Sequence, residues 1–187
     1  MTATRPTDAL EHEHRIIQQV VGAMAALADD VEKGKAAPAE VLQDLLEFLR
    51  TFADRCHHGK EEICLFPLLE RKGVPPRGCP LGALKMEHET GRALVAQLAK
   101  ASDAYFSGDP VGKSSLVPLL RNLVELYSAH IWKEDYLLLP MTKKVLSPTE
   151  QEALAEEFRR VEADIERDVH QGFEQLAVRL QQGILRD

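Results

Sequence analysis

Residues 57–67 read HHGKEEICLFP, and residues 130–140 read HIWKEDYLLLP. Each string sets a glutamate four residues after its first histidine, a second acid directly behind it, an apolar run and then a proline. Residues i and i+4 share one face of an α-helix, separated by about 6 Å of rise. His57 with Glu61, and His130 with Glu134, can therefore address one centre each. The repeat extends upstream: Glu13-His14 begins one half, with His57 lying 43 residues beyond His14, and Glu87-His88 begins the other, with His130 lying 42 beyond His88. Two helical hairpins that carry the same pattern can face one another across an approximate two-fold axis, which makes a scaffold for two metal ions.

The rest of the chain agrees with a helical reading. Breaks at Gly34–Pro38 (GKAAP), Gly73–Pro80 (GVPPRGCP), Gly108–Gly112 (GDPVG) and Ser147-Pro148 carry turn chemistry. The segments between them repeat apolar residues every three or four positions. Leu10, His14, Ile17, Val21, Met24, Ala28 and Val31 line up in the first segment. Leu42, Leu46, Leu49, Ala53, His57, Glu61, Cys64 and Leu68 do so in the second. Leu84, His88, Gly91, Val95, Leu98, Ser102 and Tyr105 follow in the third, and Leu116, Leu119, Leu123, Leu126, His130, Glu134, Leu137 and Met141 in the fourth. Aromatics make up only 5% of the chain, and no alternating β-branched run stands out. These patterns predict an all-α protein: an up-down-up-down antiparallel four-helix bundle over residues 1–146. An additional C-terminal fifth helix, residues 147–187, packs on the outside of the same domain. It starts at the Ser147-Pro148-Thr149-Glu150 N-cap signal and buries Phe158, Val161, Ile165, Val169, Leu176 and Leu180.

Six polar residues interrupt the inward stripes: His14, His57, Glu61, His88, His130 and Glu134. Burying an unpartnered imidazole or carboxylate is costly, so six of them from four helices call for a common partner. The alternative, a purely structural polar network, would make the paired repeat accidental. Between neighbouring histidines, the stripe and the ten-residue distance to the proline select His57 over His58, and the stripe selects His14 over His12. Mixed imidazole and carboxylate donors suit iron, manganese or zinc better than calcium or magnesium, which prefer oxygen shells.

Composition narrows the partners. A net charge of -7 argues against a nucleic-acid partner and against an anionic membrane surface. No apolar run approaches the roughly 20 residues that span a bilayer, and the first residues lack a secretory signal; the cytoplasm is the expected location. Cys56, Cys64 and Cys79 are expected as reduced thiols, with Cys56 and Cys64 packing rather than reacting.

The strings EHEHRII, HHGKEEICLFP, MEHETGRAL and HIWKED, in this order between Leu10 and about Met141, resemble the hemerythrin-like, or HHE cation-binding, family. The resemblance implies a four-helix bundle with a non-haem, oxygen- or carboxylate-bridged pair of iron ions. His14 and His57 then resemble the terminal ligands of one iron, His88 and His130 those of the other, and Glu61 and Glu134 the bridging carboxylates. Oxygen-carrying members have a further histidine one turn before the helix-three ligand. Leu84 stands there instead, which favours an open position and reactive or sensing chemistry over simple oxygen carriage.

Three functions follow as expectations: binding or sensing of oxygen, nitric oxide or a related small ligand; turnover of peroxide or nitric oxide; and, less favoured, iron storage or donation. Glu62 and Asp135 are candidates for extra ligands or for acceptors that orient a histidine. His170 with Glu174 repeats the His-x-x-x-Glu spacing beside the fifth-helix stripe. Pro67 and Pro140 read as the approach of a helix end or as kinks near the site. Tyr105, Tyr127 and Tyr136 could flank it, with packing as their default role.

Overall fold

A computed structural model describes residues 5–163 and 167–184, without the side chains of residues 113, 167–171 and 182–184. Six helices account for the described residues: α1 (Pro6–Glu32), α2 (39–71), α3 (Leu81–Phe106), α4 (110–145), α5 (Pro148–Ala163) and α6 (Arg167–Ile184). No strand occurs among them. The first four form the bundle, with α4 packed extensively against both α3 and α1. The segment beyond the bundle is helical and comprises α5 and α6. Ser147 and Glu150 form the capping box that opens α5, with Ser147 N–H donating to Glu150 Oε2 at 2.9 Å. Ile165 lies outside the described residues, and the side chains of Val169 and His170 lie outside the described side chains.

The apolar interior is two clusters rather than one. On α1, Leu10 belongs to one cluster and Ile17 to the other, with His14 between them. The same switch occurs across His57 and Glu61 on α2, where Ala53 and Cys64 fall in different clusters, and across His88 on α3, between Leu84 and Val95. A polar layer thus cuts the core. The C-terminal helices divide accordingly: Leu154 and Phe158 of α5 join the Leu10 cluster, and Phe173, Leu176 and Leu180 of α6 join the larger one.

Helices α2 and α4 depart from regular α geometry at that layer. Phe66 N–H donates to Glu61 O, and Leu139 N–H donates to Glu134 O, so each glutamate opens a wide i→i+5 turn. Pro67 and Pro140 each stand one residue past it, where a proline lacking an N–H is tolerated. The helices continue beyond both prolines. The wide turn also advances the buried stripe by one residue. Leu137, expected inside, is 38% exposed, while Leu138 is fully buried; Leu68 is half-buried beside the fully buried Leu69. A longer stretch of the same geometry, Leu49–His58, leads into the site on α2 and ends within it. No described helix is long and apolar enough to cross a membrane.

Phe48 stacks on Phe52 at 5.0 Å and meets Phe173 of α6 edge-on at 6.0 Å. Truncating it to alanine should cost about 3–5 kcal/mol. Urea denaturation will read this as a lowered midpoint, and a loss under about 1 kcal/mol would mean that α6 does not pack on the bundle as described.

Candidate metal centre

Each bundle helix delivers one histidine to the polar layer, and α2 and α4 add Glu61 and Glu134. All six expected residues come together there, and each is at least 97% buried. Glu134 spans the group: its Oε2 lies 3.0 Å from His14 Nε2 and 3.7 Å from His57 Nε2, and its Oε1 lies 3.0 Å from His130 Nε2. Glu61 Oε2 sits between the two hairpins, 3.4 Å from His88 Nε2 and 4.0 Å from His57 Nε2. The donors fall into His14, His57 and Glu134 on one side and Glu61, His88, His130 and Glu134 on the other, with a third group of His58, His88 and His130 overlapping the second.

The outer nitrogens explain why the acids come as doublets. His14 Nδ1 meets Asp135 at 2.6 Å, His57 Nδ1 meets Glu13 at 2.9 Å, His88 Nδ1 meets Glu62 at 2.6 Å, and His130 Nδ1 meets Glu87 at 2.9 Å. A carboxylate only accepts, so each Nδ1 carries a proton and each Nε2 faces inward, where it can give up its own proton and offer a lone pair to a cation. Glu62 and Asp135 therefore orient histidines of other helices and are not members of the inner donor sets. Glu13 and Glu87 do the same, a role that their place before His14 and His88 in the sequence did not reveal.

These donors suit a cation. Nε2 of His14 and of His57, and both carboxylate oxygens of Glu61 and of Glu134, are buried without any hydrogen bond. Buried polar atoms are seldom left so. His88 Nε2 and His130 Nε2 approach to 3.1 Å, close enough for one cation to engage both. The cluster also draws positive charge. Burial opposes protonation of His14 and His130, yet Asp135 and Glu134 on the first, and Glu134 and Glu87 on the second, raise each pKa to about 10. Glu61 is pushed up by burial and by the charge of Glu134. Glu134 is held well below the usual carboxylate range because His130, His14 and His57 outweigh its burial.

Lys60 and His58 also take places that the sequence stripes did not show. Lys60 is fully buried: it pairs with Glu13 and, at 2.9 Å, with Glu162 of α5, and lies 5.8 Å from the Phe158 ring centroid. Burial opposes its charge, but Glu13 dominates and raises its pKa. In the second hairpin Lys133 pairs with Glu87 at 2.6 Å and stays partly exposed. The buried role of Lys60 had no signal in the stripe. His58, which the 3.6-residue stripe excludes, is also buried, because the wide turn Leu49–His58 carries three successive residues inward from Cys56. Its Nδ1 meets Asp54 at 3.2 Å. Burial and the neighbouring His88, His57 and His130 hold its pKa well below that of an ordinary histidine.

The other candidates lie apart. His12 is exposed and meets Glu174 at 3.2 Å. The pairing expected between Glu174 and His170 falls on a side chain outside the description. Tyr105 accepts a hydrogen bond from Ala37 N–H, Tyr136 stacks on Trp132 at the surface, and only Tyr127 approaches, 6.2 Å from His58. Cys56 and Cys64 are buried free thiols and Cys79 is exposed. A cavity of about 130 Å³, lined by Arg50, Asp54, Arg92 and Tyr127 among others, reaches His58 from outside.

Residues 5–142 match the hemerythrin HHE cation binding domain. The chain belongs to this hemerythrin family. Uncharacterized proteins of Mycobacterium bovis and of Mycobacterium tuberculosis are each 26% identical to it over 160 residues, covering 83% of this chain. The chain spans about 60% of the length of these curated relatives. The domain match ends within α4, so α5 and α6, and with them Glu162 and Phe158, fall outside it. Cation binding is the family's property, and the His/Glu clusters above are the donor sets this member offers.

Lys60→Met should destabilise the protein by about 3–5 kcal/mol, since it leaves Glu13 and Glu162 without their cation. Lys133→Met, at a partly exposed pair, should cost less than about 1 kcal/mol. Equal losses in paired denaturation curves would refute the unequal burial of the two lysines.

Proposed function

We propose that the protein is a non-haem di-iron protein of the hemerythrin type that binds or senses oxygen, nitric oxide or a related small ligand. The observation that carries this reading is Glu134. One oxygen lies beside His14 and His57 and the other beside His130, the disposition of a carboxylate shared by two cations. Imidazole and carboxylate donors favour iron, with manganese or zinc as the other ions this donor chemistry accepts. A bound iron pair supplies small-ligand coordination and one-electron chemistry, and the chain supplies everything else.

The chain's part is orientation and exclusion. The four outer carboxylates fix the imidazole orientations, so the inner nitrogens need only release their protons when a cation enters. The apolar clusters on either side keep bulk water from the donors. Access for a small molecule runs by way of the cavity at His58, where Asp54 and Glu62 offset the charge of Arg92.

Protein loaded with iron should carry about two irons per chain and show oxo-bridged di-iron absorption. A His57→Ala, His130→Ala double variant should lose both. Reduced, loaded protein should change its visible spectrum on exposure to oxygen or nitric oxide; an unchanged spectrum with both gases defeats the binding reading.

A second reading, turnover of peroxide or nitric oxide, is favoured by the cavity and by Leu84, a buried apolar residue where oxygen carriers of the family place a histidine. Oxygen evolution from peroxide should then exceed that of a Glu61→Ala, Glu134→Ala variant at least about 100-fold. Equal rates exclude the peroxide form of this reading.

A further inference from the structure

We propose that His58 is a metal ligand, the third imidazole of the His88–His130 side of the centre. The proposal rests on the metal-binding reading above and adds to it a residue that lies on α2, not on α3, where Leu84 stands.

The inner histidines share a signature: a buried ring, Nδ1 tied to a carboxylate, and Nε2 turned inward. His58 has all of it. Only 3% of the residue is exposed, Nδ1 meets Asp54 at 3.2 Å, and the buried Nε2 has no hydrogen-bond partner. Donor atoms of His58, His88 and His130 all lie within 4.8 Å of one another. A ring that served only to pack would leave that nitrogen desolvated and unpaired, at a cost a phenyl group would avoid.

The supports of His58 and His88 are also joined. Arg92 donates from Nε to Asp54 and from Nη2 to Glu62, both at 2.8 Å. Asp54 orients His58 and Glu62 orients His88, so one guanidinium holds both carboxylates. The rings themselves stack at 3.8 Å with 13° between their planes, so joint ligation turns the His58 ring about its side-chain bonds to bring Nε2 into line with the ion. The equivalent position in the second hairpin is Ile131, also buried. The two sides of the centre are therefore unequal, with three imidazoles on one and two on the other.

Cobalt(II) is the probe. Each imidazole bound to paramagnetic cobalt should give one hyperfine-shifted, solvent-exchangeable N–H proton resonance. Wild-type protein with two cobalt equivalents should show five such signals, and His58→Phe, which keeps a ring against His88, should show four. In titrations followed by visible absorption, His58→Phe should retain one equivalent at wild-type affinity and weaken the other by at least about tenfold. Four signals in the wild type, or two unweakened equivalents in the variant, would overturn the assignment while leaving the metal centre intact. The wild-type spectrum decides the matter even if the variant does not fold. No cobalt bound by the wild type would overturn the metal-binding reading, and this assignment with it.

Discussion

Everything in this bundle is arranged around imidazole and carboxylate donors that point at one another in a dry interior. A carboxylate or imidazole taken out of water loses several kcal/mol unless charge or a hydrogen bond replaces what the water gave. Here the inner atoms have only one another, while each outer nitrogen has a carboxylate of its own. The fold keeps this layer intact by splitting its apolar residues into a cluster above and a cluster below. Neither cluster could close across the layer without bringing carboxylate and imidazole into contact with hydrocarbon alone.

The outer carboxylates form a closed circuit. Glu13 of α1 holds His57 of α2, Glu62 of α2 holds His88 of α3, Glu87 of α3 holds His130 of α4, and Asp135 of α4 holds His14 of α1. Each helix gives one acid and receives one. No helix can rotate about its axis without releasing a histidine on itself and another on its neighbour. The register of four helices is thus fixed by four short hydrogen bonds to ionised acceptors, the stronger class of hydrogen bond in a protein.

Much of this was legible in the sequence, since a bundle helix writes its buried face at three-and-four spacing. Every residue of the α1 stripe, Leu10 to Val31, is buried, and the six polar residues assigned to the stripes do meet. What failed was extrapolation through the wide turns. A stripe drawn at constant angular step passes Leu137 and misses Leu138, and it rejects His58. The i→i+5 bonds depend on Pro67 and Pro140 and on the packing around the glutamates, which no periodicity encodes. The acids of Glu13 and Glu87 were visible as a repeat, but their partners lie on other helices. Lys60 was unreadable for a different reason: what buries it comes from α5, a hundred residues later.

That last contact has a consequence for the repeat itself. Two copies of one hairpin start as interchangeable parts, and any change tolerated in one is tolerated in the other. Once Glu162 and Phe158 close over Lys60, the equivalence ends. The same exchange at Lys133 meets solvent, while at Lys60 it meets a buried Glu13 and a half-buried Glu162. The hairpins are then constrained by different surroundings and free to diverge at different positions. An inherited symmetry of this kind should survive longest among the donors, which both copies need, and fade first along the flank that only one appended helix touches.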